Sequence, residues 1–214
     1  RLAKLNRKRL KDVLTTADKL ADSAGAPDSG GSGSKAKADG RYDLASLCPG
    51  TVADGAEGQC YLLEERASGV APVREDFDAE YRRTFLGGGT NVTLEELHET
   101  VRPFVTSSVD GIGYMDIETC GMAGMPVFLL GVLVWRDDVL VVRQFLARDY
   151  SEERAMLARA WECLDGLATL VTFNGLSFDV PFIEARAAAT GLGCRRLGAD
   201  HVALLHEARR RWKG

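Results

Sequence analysis

Three acidic residues carry the chemistry that this sequence can do. Asp116 and Glu118 stand one residue apart at the end of the apolar run Gly113-Tyr114-Met115-Asp116-Ile117-Glu118-Thr119, and Asp179 follows about sixty residues later in Phe173-Asn174-Gly175-Leu176-Ser177-Phe178-Asp179. In a strand, alternate side chains share a face, so Asp116 and Glu118 are expected side by side. Carboxylates so placed repel each other and resist desolvation unless they are solvated or share a cation. Read alone, the pair is a solvated strand end and Asp179 a helix cap. Read together, the three are hard oxygen donors suited to Mg²⁺ or Mn²⁺. Two such ions, about 3.5–4 Å apart, clamp the attacking and leaving oxygens of an in-line displacement at phosphorus.

The elements that must position these residues begin at residue 111. Residues 112–118 read as a first strand, and 127–135 as a nearly continuous apolar strand buried on both faces. A tight turn at Arg136-Asp137-Asp138 leads to a partner strand at 139–146. Asp149 or Ser151 caps a helix over 152–164, residues 167–173 form another strand, and Asn174-Gly175-Leu176-Ser177 turns the chain into a helix over 178–189 with Pro181 in its first turn. A short extended piece near 196–199 leads to a last helix, about 202–212. An antiparallel three-strand meander followed by alternating helices and parallel strands is a mixed α/β sheet. If the first and fourth of these strands lie parallel and adjacent, their C-terminal ends bring Asp116, Glu118 and the 173–179 loop together, where open α/β sheets build sites.

The preceding residues are less informative. Residues 1–22 read as a basic amphipathic helix with six Lys/Arg in the first eleven positions, and 23–41 as a flexible linker rich in Gly, Ser, Ala and Lys. Residues 42–110 read as an extension of mixed short elements, with an ordered piece opening at 42–47, a short strand at 59–65 and a helix at 93–101 capped by Thr93. The glycine run Gly87-Gly88-Gly89 lacks the Lys-Ser/Thr of a phosphate loop and reads as a turn, and His98 reads as a surface residue. Residues 111–214 form the last unit.

The whole chain of 214 residues has a net charge of −4 and is 45% hydrophobic, which suits a globular protein and excludes a generally basic nucleic-acid coat. Its longest apolar run, 126–135, is too short to cross a bilayer, so no membrane association is expected. Five cysteines without a C-x-x-C pair fit reduced thiols in a cytoplasmic setting.

Asp116-Ile117-Glu118-Thr119 with the Asn174-to-Asp179 loop resembles the first two motifs of the DEDD-type 3′–5′ exonucleases of the ribonuclease H-like superfamily. The wider run, including Gln144-Phe145-Leu146-Ala147-Arg148-Asp149 and Leu204-Leu205-His206-Glu207-Ala208-Arg209-Arg210, is similar to the bacterial YprB-like predicted exonucleases. The resemblance covers residues 111–213 and implies a ribonuclease H-like mixed sheet. It also implies a two-metal hydrolysis of phosphodiester bonds from the 3′ end of single-stranded DNA or RNA. By matching position, Asp116 would bridge both ions, Glu118 would hold one and Asp179 the other. Asn174 would shape the loop and touch substrate, and Thr119 would lie along the path of the 3′ end. The family's final motif, a His or Tyr before an Asp on a later helix, has no match before Gly214, so the domain is expected to be incomplete at its C-terminus. Ala203 stands where His-x-Asp-Leu-Leu-His would have its acid, and His201 is expected to be a surface or structural residue rather than the base.

Arg195, Arg196, Arg209, Arg210, Arg211 and Lys213 form the main basic cluster, with Arg209 and Arg210 as candidate phosphate contacts. Tyr114, Phe178 and Trp212 are candidate stacking surfaces for unpaired bases. The competing readings are a non-catalytic ribonuclease H-like module that binds nucleic acid or protein, and a piece of an active nuclease, itself weak or inactive, whose final motif lies beyond Gly214.

Overall fold

The structure, a computed structural model, describes residues 44–70, 76–85, 95–121 and 124–212. The expected basic helix at 1–22, the linker at 23–41, the glycine turn at 87–89, Thr93 and Lys213 lie outside the described residues.

Seven strands form one mixed sheet: β1 (Thr51–Gly55), β2 (Gly58–Arg66), β3 (Ile112–Thr119), β4 (Val127–Arg136), β5 (Val139–Leu146), β6 (Thr169–Thr172) and β7 (Asp200–Ala203). Their spatial order is β1-β2-β5-β4-β3-β6-β7. From β1 to β3 every neighbouring pair is antiparallel, whereas β3/β6 and β6/β7 are parallel. The meander and the parallel half are those expected from the hydrophobic pattern. The β4–β5 hairpin closes through Asp137 (φ 49°) and Asp138 (φ 63°), the left-handed pair that matches the twist of two antiparallel strands. The stretch ahead of residue 111 contributes β1 and β2, and β2 pairs with β5 from Tyr61↔Leu146 to Arg66↔Val141.

The helices among the described residues are α1 (Leu44–Leu47), α2 (Ala67–Val70), α3 (Phe77–Phe85), α4 (Arg102–Thr106), α5 (Glu153–Leu164), α6 (Asp179–Ala189) and α7 (Leu204–Arg211). None is long and apolar enough to cross a membrane. On one face of the sheet, Met156, Leu157, Ala160 and Trp161 of α5 and Ile183 and Ala187 of α6 pack on Met115, Ile117, Leu130, Val132 and Phe145. On the other, Phe77 and Tyr81 of α3 cover Trp135 and Leu140, while Phe85 and Phe104 cover Ile112 and Val171. All five cysteines are free thiols.

Three boundaries differ from expectation. The helix expected at 93–101 is replaced by a 3-10 turn, Glu99–Val101, leading into α4. Pro103 explains the shift, because its fixed φ and missing N–H suit the first turn of a helix. The last strand lies at Asp200–Ala203 rather than 196–199, because Val202 and Ala203 are the residues that bury against β6. The final helix accordingly starts at Leu204.

Candidate active site at the ends of β3 and β6

Along β3, Met115 and Ile117 are buried while Asp116 and Glu118 are exposed on the opposite face. The two carboxylates therefore share the face of Ile112 and Tyr114, as strand alternation requires. Parallel pairing of β3 with β6 ends at Tyr114↔Val171, and β6 itself ends at Thr172. Just beyond that point the Asp179 carboxyl lies near the backbone of Ile117 and within range of the Asp116 charge.

Asp179 is only 5% exposed. Burial pushes its carboxyl above the usual aspartate range, and the neighbouring Asp116 charge adds to this; the Asp179 and Ile117 amides oppose it. Among the described residues, no Lys or Arg forms an ion pair with Asp116, Glu118 or Asp179.

The 173–178 loop is fixed from below. Thr172 Oγ1 accepts the Gly175 N–H at 2.9 Å, and His201 Nε2 lies 2.8 Å from the same hydroxyl. A Cβ on Gly175 would stand 2.2 Å from Thr172 Oγ1 and 2.6 Å from Thr172 Cβ, so close approach demands glycine there. The Asn174 carbonyl accepts from the amides of Ser177 (3.0 Å) and Phe178 (3.1 Å), which turns the chain into α6. Leu205 N donates to Phe173 O at 2.8 Å, so α7 starts against the same loop. His201 is half-buried, and burial pushes its pKa down, favouring the neutral ring. Its contact with Thr172 is the structural role expected for it.

The turn after β3 is held by a pair that sequence reasoning missed. Glu153 is 3% exposed and accepts the Val127 N–H at 2.9 Å. Arg186 donates to it through Nε (2.7 Å) and Nη2 (2.5 Å), and through Nη1 to Gly124 O (2.9 Å). One buried ion pair thus ties α5, α6 and the 124–127 segment together. In sequence Glu153 reads as a helix-start acid and Arg186 as a cation of a helix's last turn, so nothing local signals the pair. Within the turn, Thr119 Oγ1 donates to Gly121 O at 2.6 Å, and a bulge after Glu118 sets Thr119 opposite Val127.

The basic cluster divides. Arg195 pairs with Asp165 at 3.6 Å. Arg210 pairs with Glu207, donates to Thr100 Oγ1 at 2.7 Å and reaches His98 Nε2 at 3.3 Å, docking α7 on the 98–101 turn. Arg209 and Arg211 are exposed. Tyr114 is a packed residue, its hydroxyl 3.1 Å from that of Tyr81. Phe178 is 40% exposed and Trp212 79%. Phe173, which the sequence reading left out, is 62% exposed beside Asn174.

A cavity of about 690 Å³ lies beside the turn after β3, lined by Cys120, Phe128, Leu146 and Tyr150 among others. Among the described residues, no group of three or more His, Cys, Asp or Glu side chains is preassembled around a metal position. The donor set nonetheless fits a hard divalent cation. A buried carboxylate faces a second carboxylate with no cationic side chain to balance them, and a divalent ion supplies the missing charge.

A family model of the RNase H superfamily matches residues 113–213. The uncharacterized protein YprB of Bacillus subtilis (strain 168) is 35% identical over 104 residues, a match that takes in 47% of this chain and 25% of that protein. The match thus spans a quarter of the length of that curated relative. The mixed sheet is consistent with the ribonuclease H-like fold of that superfamily, whose members commonly hydrolyse nucleic acids and usually use divalent metals.

Proposed function

We propose that this domain is a metal-dependent nuclease, a 3′–5′ exonuclease acting on single-stranded DNA or RNA. The observation that carries the reading is the buried Asp179 carboxyl lying within range of the Asp116 charge. It joins the two acidic motifs across β3 and α6, and among the described residues no Lys or Arg forms an ion pair with them. Asp116, Glu118 and Asp179 would hold two Mg²⁺ or Mn²⁺ ions. When bound, the ions supply charge stabilisation to an in-line displacement at phosphorus and acidify the attacking water. The chain's own residues supply the frame. Strand β3 fixes the spacing of Asp116 and Glu118. The start of α6 places Asp179 beside them. Gly175 and Thr172 hold the loop that presents Asn174 to the substrate, Thr119 lines the path of the 3′ end, and Arg209 is exposed to hold phosphate.

A second reading, a binding module without catalysis, draws support from Ala203, where the resembling family carries an acid, and from the lack of a preassembled cage among the described residues. Degradation of end-labelled single strands separates the two. The nuclease reading expects Mn²⁺-dependent shortening from the 3′ end that EDTA stops and Asp116→Asn abolishes. Strand binding without any shortening supports the module.

A further inference from the structure

Beside Asp116, the sheet carries a glycine that the fold does not explain. Gly131 lies directly opposite Asp116, and Gln144 lies directly opposite Gly131 on the next strand. Side chains at paired positions point to one face, so Asp116, the bare backbone of Gly131 and the Gln144 side chain form a row on the face that bears the acids. The parallel row one step on is Glu118, Leu129 and Leu146.

Strand β4 is otherwise an unbroken run of large side chains, VFLLGVLVWR. Gly131 has no positive φ, so its backbone suits any residue. A Cβ there would meet, among the described residues, only Asp116 O, at 3.9 Å, an ordinary contact. Among the described residues neither conformation nor packing requires glycine at 131, whereas crowding against Thr172 requires it at 175. A strand-interior glycine often marks a bulge, a bend, or a place where a ligand or another backbone approaches closely, and the register shows no bulge at Gly131. Gln144 adds a second sign. Its amide is half-buried and has no hydrogen-bond partner among the described residues, and it lines a cavity of about 430 Å³ with Pro49, Leu63 and Val142.

We infer that the Gly131 backbone is the floor on which the terminal nucleotide of a single strand lies, with Gln144 meeting its base. The inference rests on the nuclease reading. Neighbouring strands are about 4.8 Å apart, so Gln144 stands roughly 10 Å from Asp116, the reach of a nucleotide from phosphate to base edge. An amide offers both donor and acceptor, so it can meet any base edge without selecting one. A side chain at 131 would lift the sugar and base off the sheet and carry the phosphate away from the acids.

The test uses Gly131→Ala, Gly131→Val and Gln144→Ala. It compares kcat and KM on a labelled single-stranded oligonucleotide in Mn²⁺, Mn²⁺ affinity by calorimetry, and Tm. The expected result is a Tm unchanged or raised in both 131 variants, unchanged Mn²⁺ affinity, a KM raised about tenfold in Gly131→Val and less in Gly131→Ala. Gln144→Ala is expected to raise KM about threefold. Wild-type KM in a stable Gly131→Val or Gly131→Ala variant overturns the floor while leaving the nuclease reading intact. Parallel loss of Tm and Mn²⁺ affinity in both 131 variants overturns it in favour of a role in the fold. A wild-type chain that cleaves nothing in Mn²⁺ removes the nuclease reading, and the floor with it.

Discussion

Asp179, buried at the start of α6, lies within range of the Asp116 charge on β3, and that charge adds to burial in raising the Asp179 pKa. The two acidic motifs, about sixty residues apart in sequence, therefore meet at one end of the sheet.

Asp179→Asn keeps the size of the side chain and removes a buried ionisable group. The folded-state pKa of Asp179 is raised, first by burial, so the folded state holds the proton more tightly than the unfolded state does. The stability this contributes is present in acid and is lost as pH rises through the raised value. Thermal melts without metal are expected to show Asp179→Asn more stable than wild type at pH 7, with the difference shrinking as pH falls towards about 4. A variant less stable than wild type at every pH contradicts this.

Gly175→Ala puts a methyl into Thr172 at 2.2 Å. Overpacking of this kind costs about 1–3 kcal/mol. Urea unfolding is expected to show the loss. Gly175→Ala/Thr172→Ser removes the Thr172 methyl but not the contact with its hydroxyl, and is expected to recover only part of it.

Arg186→Met leaves Glu153 buried with its charge uncompensated, a change that costs about 3–5 kcal/mol when one partner of a buried pair is removed. The double variant Glu153→Gln/Arg186→Met is expected to be more stable than Arg186→Met alone. Since Arg186 also holds Gly124 O, both variants are expected to loosen the turn after Thr119, read as faster amide exchange at Val127.

The meander, the parallel pairing of β3 with β6 and the common face of Asp116 and Glu118 were legible in the sequence because each follows from local periodicity. Residues 127–146 show the hairpin at once, with two Asp residues that tolerate positive φ at its tip. Less legible was whatever depends on partners distant in sequence. Strand β7 was displaced by four residues because Leu197 and Ala199 look as strand-like as Val202; only pairing with β6 distinguishes them. Glu153 and Arg186 are an ordinary helix-start acid and a helix cation until folding places them face to face over the Val127 amide. Arg209 and Arg210 look equivalent in sequence, yet Arg210 is engaged with Thr100, His98 and Glu207. Gly131 drew no attention in an apolar strand, because its meaning lies in the strand beside it.

The most direct test of the central claim is Mn²⁺ titration by calorimetry on the wild-type chain, Asp116→Asn and Asp179→Asn at pH 7.5. The account predicts saturable binding to wild type, lost in Asp116→Asn and weakened in Asp179→Asn, with wild-type affinity rising with pH as Asp179 ionises. Equal Mn²⁺ binding by all three, or none by wild type, contradicts it.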